Sequence, residues 1–166
     1  MNTIEIVEYK PEHQFYFESL NRAWIEKYFS MEEMDKYVLR YPEEAIINPG
    51  GVILIALCEG KVAGCVALRK AGDKAFEFTK MAVDENYQRK GIAEKLSHAS
   101  FTKAAELGAE VVFLFTNSIL KPAITLYEKL GFRHVPLEDS KYKRSDVKMS
   151  INIRVPVNKQ ILLTAK

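Results

Sequence analysis

Cysteine is scarce in this chain. Only Cys58 and Cys65 occur among its 166 residues, each inside an apolar run. Pairing those runs around Glu59-Gly60 sets Cys58 opposite Lys61 rather than Cys65, so neither a disulfide nor a metal site is expected. Long hydrophobic runs are missing too, none approaching the roughly 18 residues of a membrane span. The first ten residues hold neither a basic nor an apolar leader region, so a cytoplasmic protein without a membrane partner is the expectation. Neither charge sign dominates: Lys plus Arg number 24 and Asp plus Glu 22, and the net +2 gives no global pull toward nucleic acid or anionic lipid. Any anion site must be local. Linkers rich in Pro, Gly or Ser, repeats and low-complexity stretches are absent as well. Residues 1–155 are therefore read as one domain, followed by a tail over 156–166 to which the pattern assigns no element. A homodimer stays open.

What is present is the composition of an ordinary folded domain, 48% hydrophobic and 28% charged. Residues 3–8 read as a strand. Pro11 then opens a helix with Phe17, Leu20, Trp24 and Tyr28 at three-and-four spacing. Ser30 and Glu33 form a capping box for a second helix with the stripe Met34, Tyr37, Val38 and Tyr41, which Pro42 stops. After the turn Asn48-Pro49-Gly50-Gly51, Val52 to Leu57 and Val62 to Leu68 make a hairpin. A further strand follows from Ala75 to Val83, with Phe76, Phe78, Lys80 and Ala82 on one face. Ala93, Leu96, Ser100, Ala104 and Leu107 trace a helix ended by Gly108. Val111 to Phe115 is a strand buried on both faces, and Ala123, Leu126, Tyr127 and Leu130 trace a helix closed by Gly131. Val147, Met149, Ile151, Ile153 and Val155 alternate as a closing antiparallel strand. The expected fold is α/β: a mixed, largely antiparallel central sheet flanked by helices on both faces.

Gln88-Arg89-Lys90-Gly91-Ile92-Ala93 lies between the strand ending at Val83 and the next helix, where free backbone N–H groups converge and favour an anion. Gly91 lets a phosphate approach the backbone. Arg89 and Lys90 add positive charge where the helix dipole is already positive, which opposes helix stability unless an anion binds. Taken alone, the string also fits a tight turn with solvated basic side chains. A P-loop is excluded because Ile92 follows Gly91 in place of Lys-Ser/Thr, and a dinucleotide fingerprint lacks its first two glycines.

Three segments stand in order at natural spacing: Glu77-Phe78-Thr79-Lys80-Met81-Ala82-Val83, Gln88 to Ala93, and Leu126-Tyr127-Glu128-Lys129-Leu130-Gly131-Phe132. Together they resemble the GNAT superfamily of N-acetyltransferases, most strongly from about Ala75 to Phe132. The resemblance implies a sheet splayed between the strands ending at Val83 and Phe115, with acetyl-CoA as cosubstrate in the gap and no metal. It implies pyrophosphate contacts from the backbone of Gln88, Arg89, Lys90, Gly91, Ile92 and Ala93. Met81 and Val83 would pair with the pantetheine, and the Val83 N–H would face the oxyanion.

Tyr127 matches the family tyrosine that protonates or hydrogen-bonds the departing thiolate; the plain alternative is an aromatic on the helix's apolar stripe. Glu77 matches a strand acid that takes the amine proton in some members; its alternative is a surface glutamate paired with Lys61 or Lys80. Leu120 stands where many members carry Asn, so Thr116, Asn117 or Ser118 would have to supply that polar contact to the acyl-CoA. His13, His98 and His134 read as surface residues. The acceptor, a small amine or a peptide amine, would be shaped by residues 11–41, 48–51 and 138–146, which offer Tyr28, Glu32, Glu33, Tyr142 and Arg144. Two functions fit: an N-acetyltransferase working by direct attack, or a catalytically silent acyl-CoA-binding or sensor module.

Overall fold

In the computed structural model residues 3–138 and 142–153 are described. The chain begins with β1 (Ile4–Glu8), a 3-10 turn at Pro11–His13, α1 (Gln14–Tyr28) and α2 (Glu33–Arg40). It continues through β2 (Val52–Cys58), β3 (Lys61–Lys70), β4 (Ala75–Val83), α3 (Ile92–Glu106) and β5 (Val111–Thr116). Then come α4 (Lys121–Leu130), β6 (Arg133–Val135) and β7 (Val147–Asn152). The seven strands form one sheet in the order β1-β2-β3-β4-β5-β7-β6. Among the described residues only the β4–β5 pair is parallel. This is the mixed, largely antiparallel sheet that was expected.

The strands β2 and β3 read as continuous apolar runs because both of their faces are covered. Ile53, Ile55, Cys65 and Ala67 pack under α1 and α2 with Phe17, Ile25, Val38 and Leu39. Leu54, Ala56, Val66 and Leu68 face the other way, with Leu96 and Ala104 of α3. Each such large side chain contributes about 1.5–3 kcal/mol by leaving water. Gly64 sets how closely α3 approaches: a Cβ there would stand 3.2 Å from both Ile92 and Leu96. Cys58 is opposite Lys61 as expected, and both cysteines are free and buried.

Helix faces depart from the expected stripes where a polar residue is buried. In α1 the buried residues are Phe17, Asn21 and Ile25, while Tyr28 is 50% exposed. Asn21 tolerates burial because its amide donates to the Phe17 carbonyl and Cys65 Sγ, and its oxygen accepts from Trp24 Nε1. In α2 the inward face is Asp35, Val38 and Leu39, with Met34, Tyr37 and Tyr41 exposed. The cap is also two residues later than expected: the Glu32 N–H donates to Asp35 Oδ2 at 2.9 Å, and Ser30 lies outside the helix. Pro42 does not end the winding, which continues as a π-turn over Glu43–Ile47 that buries Ile46. Leu107 follows the last residue of α3 and is exposed. His13 is buried rather than on the surface, its Nδ1 accepting the Lys10 N–H. The three-residue β6, too short to leave a periodic signal, pairs with β7. Val155 and the tail 156–166 lie outside the described residues.

The largest departure is in β4. Cys65 pairs with Ala82 but Ala67 pairs with Thr79, so two residues of β4, Lys80 and Met81, stand against Val66 alone. Lys80 adopts a left-handed φ of 56° to make this bulge. A bulge reverses which way side chains point. Phe76 and Phe78 therefore share the α3 side with Met81 and Val83, whereas Ala82 joins the α1–α2 core. The expected common face of Phe76, Phe78, Lys80 and Ala82 does not exist.

Candidate active site

The parallel pairing of β4 with β5 covers only Ala75–Val111, Phe76–Val112 and Glu77–Phe113. Beyond Glu77 the strands part, at the point where the Lys80 bulge re-aims β4. The gap is a cleft of about 590 Å³, walled by the second half of β4, the end of β5, α4, the start of α3 and the end of α1. Of the candidate residues, Glu77, Met81, Val83, Gln88, Arg89, Gly91, Ile92, Ala93, Asn117 and Tyr127 all line it; Lys90 does not.

One end of the cleft is built from backbone. Gly91 is the N-cap of α3 with φ 77°, preceded by Arg89 at φ 64°. The first bond back to Gly91 comes from the Lys95 N–H, so the N–H groups of Ile92, Ala93 and Glu94 have no acceptor within the helix. Nothing lies within 4 Å of where a Gly91 Cβ would be, so the space over this turn is open. Free donors, a positive helix end and the exposed Arg89 make it suited to a phosphate.

Tyr127 projects from α4, its ring set edge-on to Phe78 and Phe132 at 5.8 Å each. The hydroxyl makes no hydrogen bond among the described residues, and burial pushes the phenol up to about 12. Glu77 is 5% exposed. Its partner is Arg69, directly across the β3–β4 ladder, whose Nε donates to Oε1 at 2.8 Å; neither Lys61 nor Lys80 takes that place. Oε2 carries no hydrogen bond among the described residues. Asn117 lines the cleft, yet its amide is engaged within the chain: Nδ2 donates to the Arg144 carbonyl and Oδ1 accepts the Ile119 N–H.

A profile described as the acetyltransferase (GNAT) family matches residues 14–132. The chain belongs to that family. Among its relatives, the N-acetylaspartate synthetase of Xenopus tropicalis is 35% identical over 63% of this chain and 36% of its own length. The human protein of that name is 30% identical over 75% of this chain and 40% of its own. The chain thus spans about two fifths or less of these relatives. A GNAT-family acetyltransferase of Staphylococcus aureus Mu50 shares the fold with a TM-score of 0.82 at 20% identity, covering 91% of this chain and 99% of that one.

Opposite the phosphate-ready end, this GNAT chain carries a charged cluster that sequence reasoning missed in part. Asp35, fully buried on α2, accepts from Lys80 Nζ at 2.7 Å and from both terminal nitrogens of Arg144 at 2.6 and 2.7 Å. Burial alone would raise the Asp35 carboxyl. The bonds from Arg144 and Lys80 outweigh it and lower the pKa to about 2. For the Lys80 ammonium, burial together with the nearby Arg144 charge outweighs the attraction of Asp35 and Glu77, and the pKa falls below the ordinary lysine value. The Tyr142 ring lies under both cations, 4.4 Å from Lys80 and 4.6 Å from Arg144. Tyr142, Arg144 and Glu32 were expected on the acceptor side; Asp35 and Lys80 were not. The available signals were an acid one turn after Glu32 on an inward helix face, and a lysine inside an otherwise apolar strand. Among the described residues no His/Cys/Asp/Glu group could hold a metal, and no helix is long and apolar enough to cross a membrane.

Proposed function

We propose that the protein transfers an acetyl group from acetyl-CoA to an amine by direct attack on the thioester. The observation that carries this reading is the cleft where β4 and β5 part, with free N–H donors at one end and the Tyr127 hydroxyl inside it. The pyrophosphate sits on the N–H groups of Ile92, Ala93 and Glu94, with Arg89 beside it and the pantetheine running along Met81 and Val83. The amine nitrogen forms its bond to the carbonyl carbon, and main-chain donors beside the parting strands, the Val83 N–H among them, stabilise the oxyanion.

A lysine-like amine is only about one part in 2,500 neutral at pH 7, a deficit of about 4 to 5 kcal/mol, so a proton acceptor speeds the reaction. Glu77 Oε2 takes that proton, directly or through a water, while Arg69 holds Oε1. As the C–S bond breaks, the sulfur leaves as thiolate. A phenol near 12 holds its proton more firmly than a thiol near ~8.5. Tyr127 therefore acts first as a hydrogen-bond donor to the sulfur, with full transfer following only as the surroundings change.

The acceptor is a small amine. Relatives named N-acetylaspartate synthetase put aspartate and other amino acids at the head of the panel to be tried. The test is release of free CoA thiol from acetyl-CoA over such a panel, with peptide amines included. Release with at least one acceptor is expected. Tight acetyl-CoA binding with no release from any of them would favour the silent binding module instead.

A further inference from the structure

We propose that Asp35 is the positioning residue of the acceptor half of the cleft, holding residues 142–146 as a strap between α2 and the end of β5; the inference rests on the acetyltransferase reading above. On one side, Glu32, the N-cap residue of α2, accepts the N–H groups of Lys143 and Arg144 at 3.1 and 3.4 Å, and Asp35 takes the Arg144 guanidinium through two bonds. On the other side, at the end of β5, Asn117 donates to the Arg144 carbonyl. The Ser118 N–H and hydroxyl there donate to the Asp146 carboxylate at 2.8 and 2.7 Å, and the Asp146 N–H donates to the Thr116 carbonyl. The strap therefore spans the gap that opens once β4 and β5 cease to pair at Glu77 and Phe113.

Asp35 does not line the cleft; Lys80, Tyr142 and Arg144 do. It acts through them. One carboxylate fixes the ammonium of the bulge residue and the guanidinium of the strap, and both cations lie against the Tyr142 ring. The aromatic and cationic wall that an acceptor meets is thus set by a residue that touches neither substrate. Arginine suits this place because its planar fork matches a carboxylate through two bonds. Among the described residues Gly91, Ile92, Ala93 and Glu94 share no hydrogen bond with Asp35, Lys80 or Arg144, so the two halves of the cleft should respond separately.

Asp35→Asn keeps the size of the side chain and removes the charge that both cations need. With the responsive acceptor from the panel, its KM should rise about tenfold or more while the acetyl-CoA Kd stays within about twofold. Hydrogen exchange at the Lys143, Arg144 and Asp146 amides should quicken about tenfold, reporting release of the strap. Arg144→Met should reproduce both changes, and the double variant should be no worse than the poorer single, because the two residues work as one unit. If Asp35→Asn does not fold, Arg144→Met and Glu32→Gln carry the same test from the strap's side.

A lower melting temperature with unchanged acceptor KM and exchange would make the cluster purely structural and overturn the proposal. Loss of acetyl-CoA affinity in step with acceptor KM would overturn it as well. If the native protein turns over no acceptor, the enzyme reading fails, and the exchange measurement still decides whether Asp35 holds the strap.

Discussion

The two ends of the cleft are built on different principles. The end at Gln88 to Ala93 is backbone: one tight turn, a glycine at φ 77° and the unpaired N–H groups of a helix start, all within a few residues of each other. The end at Asp35, Lys80 and Arg144 is side chain, with contacts spanning 45 and 109 residues of sequence. A backbone site tolerates exchange of its side chains so long as the turn survives. A side-chain site loses its geometry when one member changes, because a buried charge left without its partner is costly.

The sharpest way to separate the ends is Tyr127→Phe, which leaves the ring packed against Phe78 and Phe132 and removes only the hydroxyl. Turnover should fall by about 10² to 10⁴, with acetyl-CoA affinity and melting temperature unchanged. Wild-type turnover in steady-state assays would reduce Tyr127 to packing.

Asp35→Asn tests stability at the other end, where breaking a buried pair costs about 3–5 kcal/mol in urea unfolding. The same cluster predicts an acid limit. The folded Asp35 pKa, about 2, lies below the unfolded value near ~3.9, so its stabilisation is present above pH ~4 and is lost as pH falls toward 2. The loss is on the order of 2 kcal/mol, and a chemical-denaturation series across that window should lack this step in Asp35→Asn.

Gly91→Glu attacks the backbone end. Open space around Gly91 means no clash, while the left-handed φ and the added negative charge both oppose the bound form. Acetyl-CoA affinity by calorimetry should drop about tenfold or more, with the Lys143 and Arg144 amides still protected from exchange. Unchanged affinity would place the phosphates elsewhere.

The smallest effect is expected from Glu77→Gln, since glutamine can still accept from Arg69. Turnover should fall about tenfold near neutral pH and recover as the pH approaches the acceptor's own pKa, where neutral amine is plentiful. A loss that is uniform across pH would make Glu77 part of acceptor binding rather than a proton acceptor.

Local order was largely legible before the fold was known. The bounds of β4 from Ala75 to Val83, the hairpin register of Cys58 against Lys61, and the glycine stops after α3 and α4 all follow from residues close in sequence. Helix faces were harder to read. The inward residues Asn21 and Asp35 are polar, and a hydrophobic pattern passes over a polar residue whose burial is made tolerable by partners elsewhere. Period-two alternation likewise failed at Lys80, because a bulge is defined by the neighbouring strand and leaves no mark in the composition of its own.

The sequence by itself determined the order of the longer strands and helices, the family, and a phosphate-ready turn at Gly91, because each depends on short-range pattern and backbone chemistry. Only the tertiary structure decided which way Lys80 points, that Arg69 rather than a lysine partners Glu77, and that Asp35 gathers Lys80 and Arg144. The Asp35 contacts join residues 45 and 109 positions apart and the Arg69–Glu77 pair is fixed by the β3–β4 register, so helix packing and sheet register bring these groups within bonding distance.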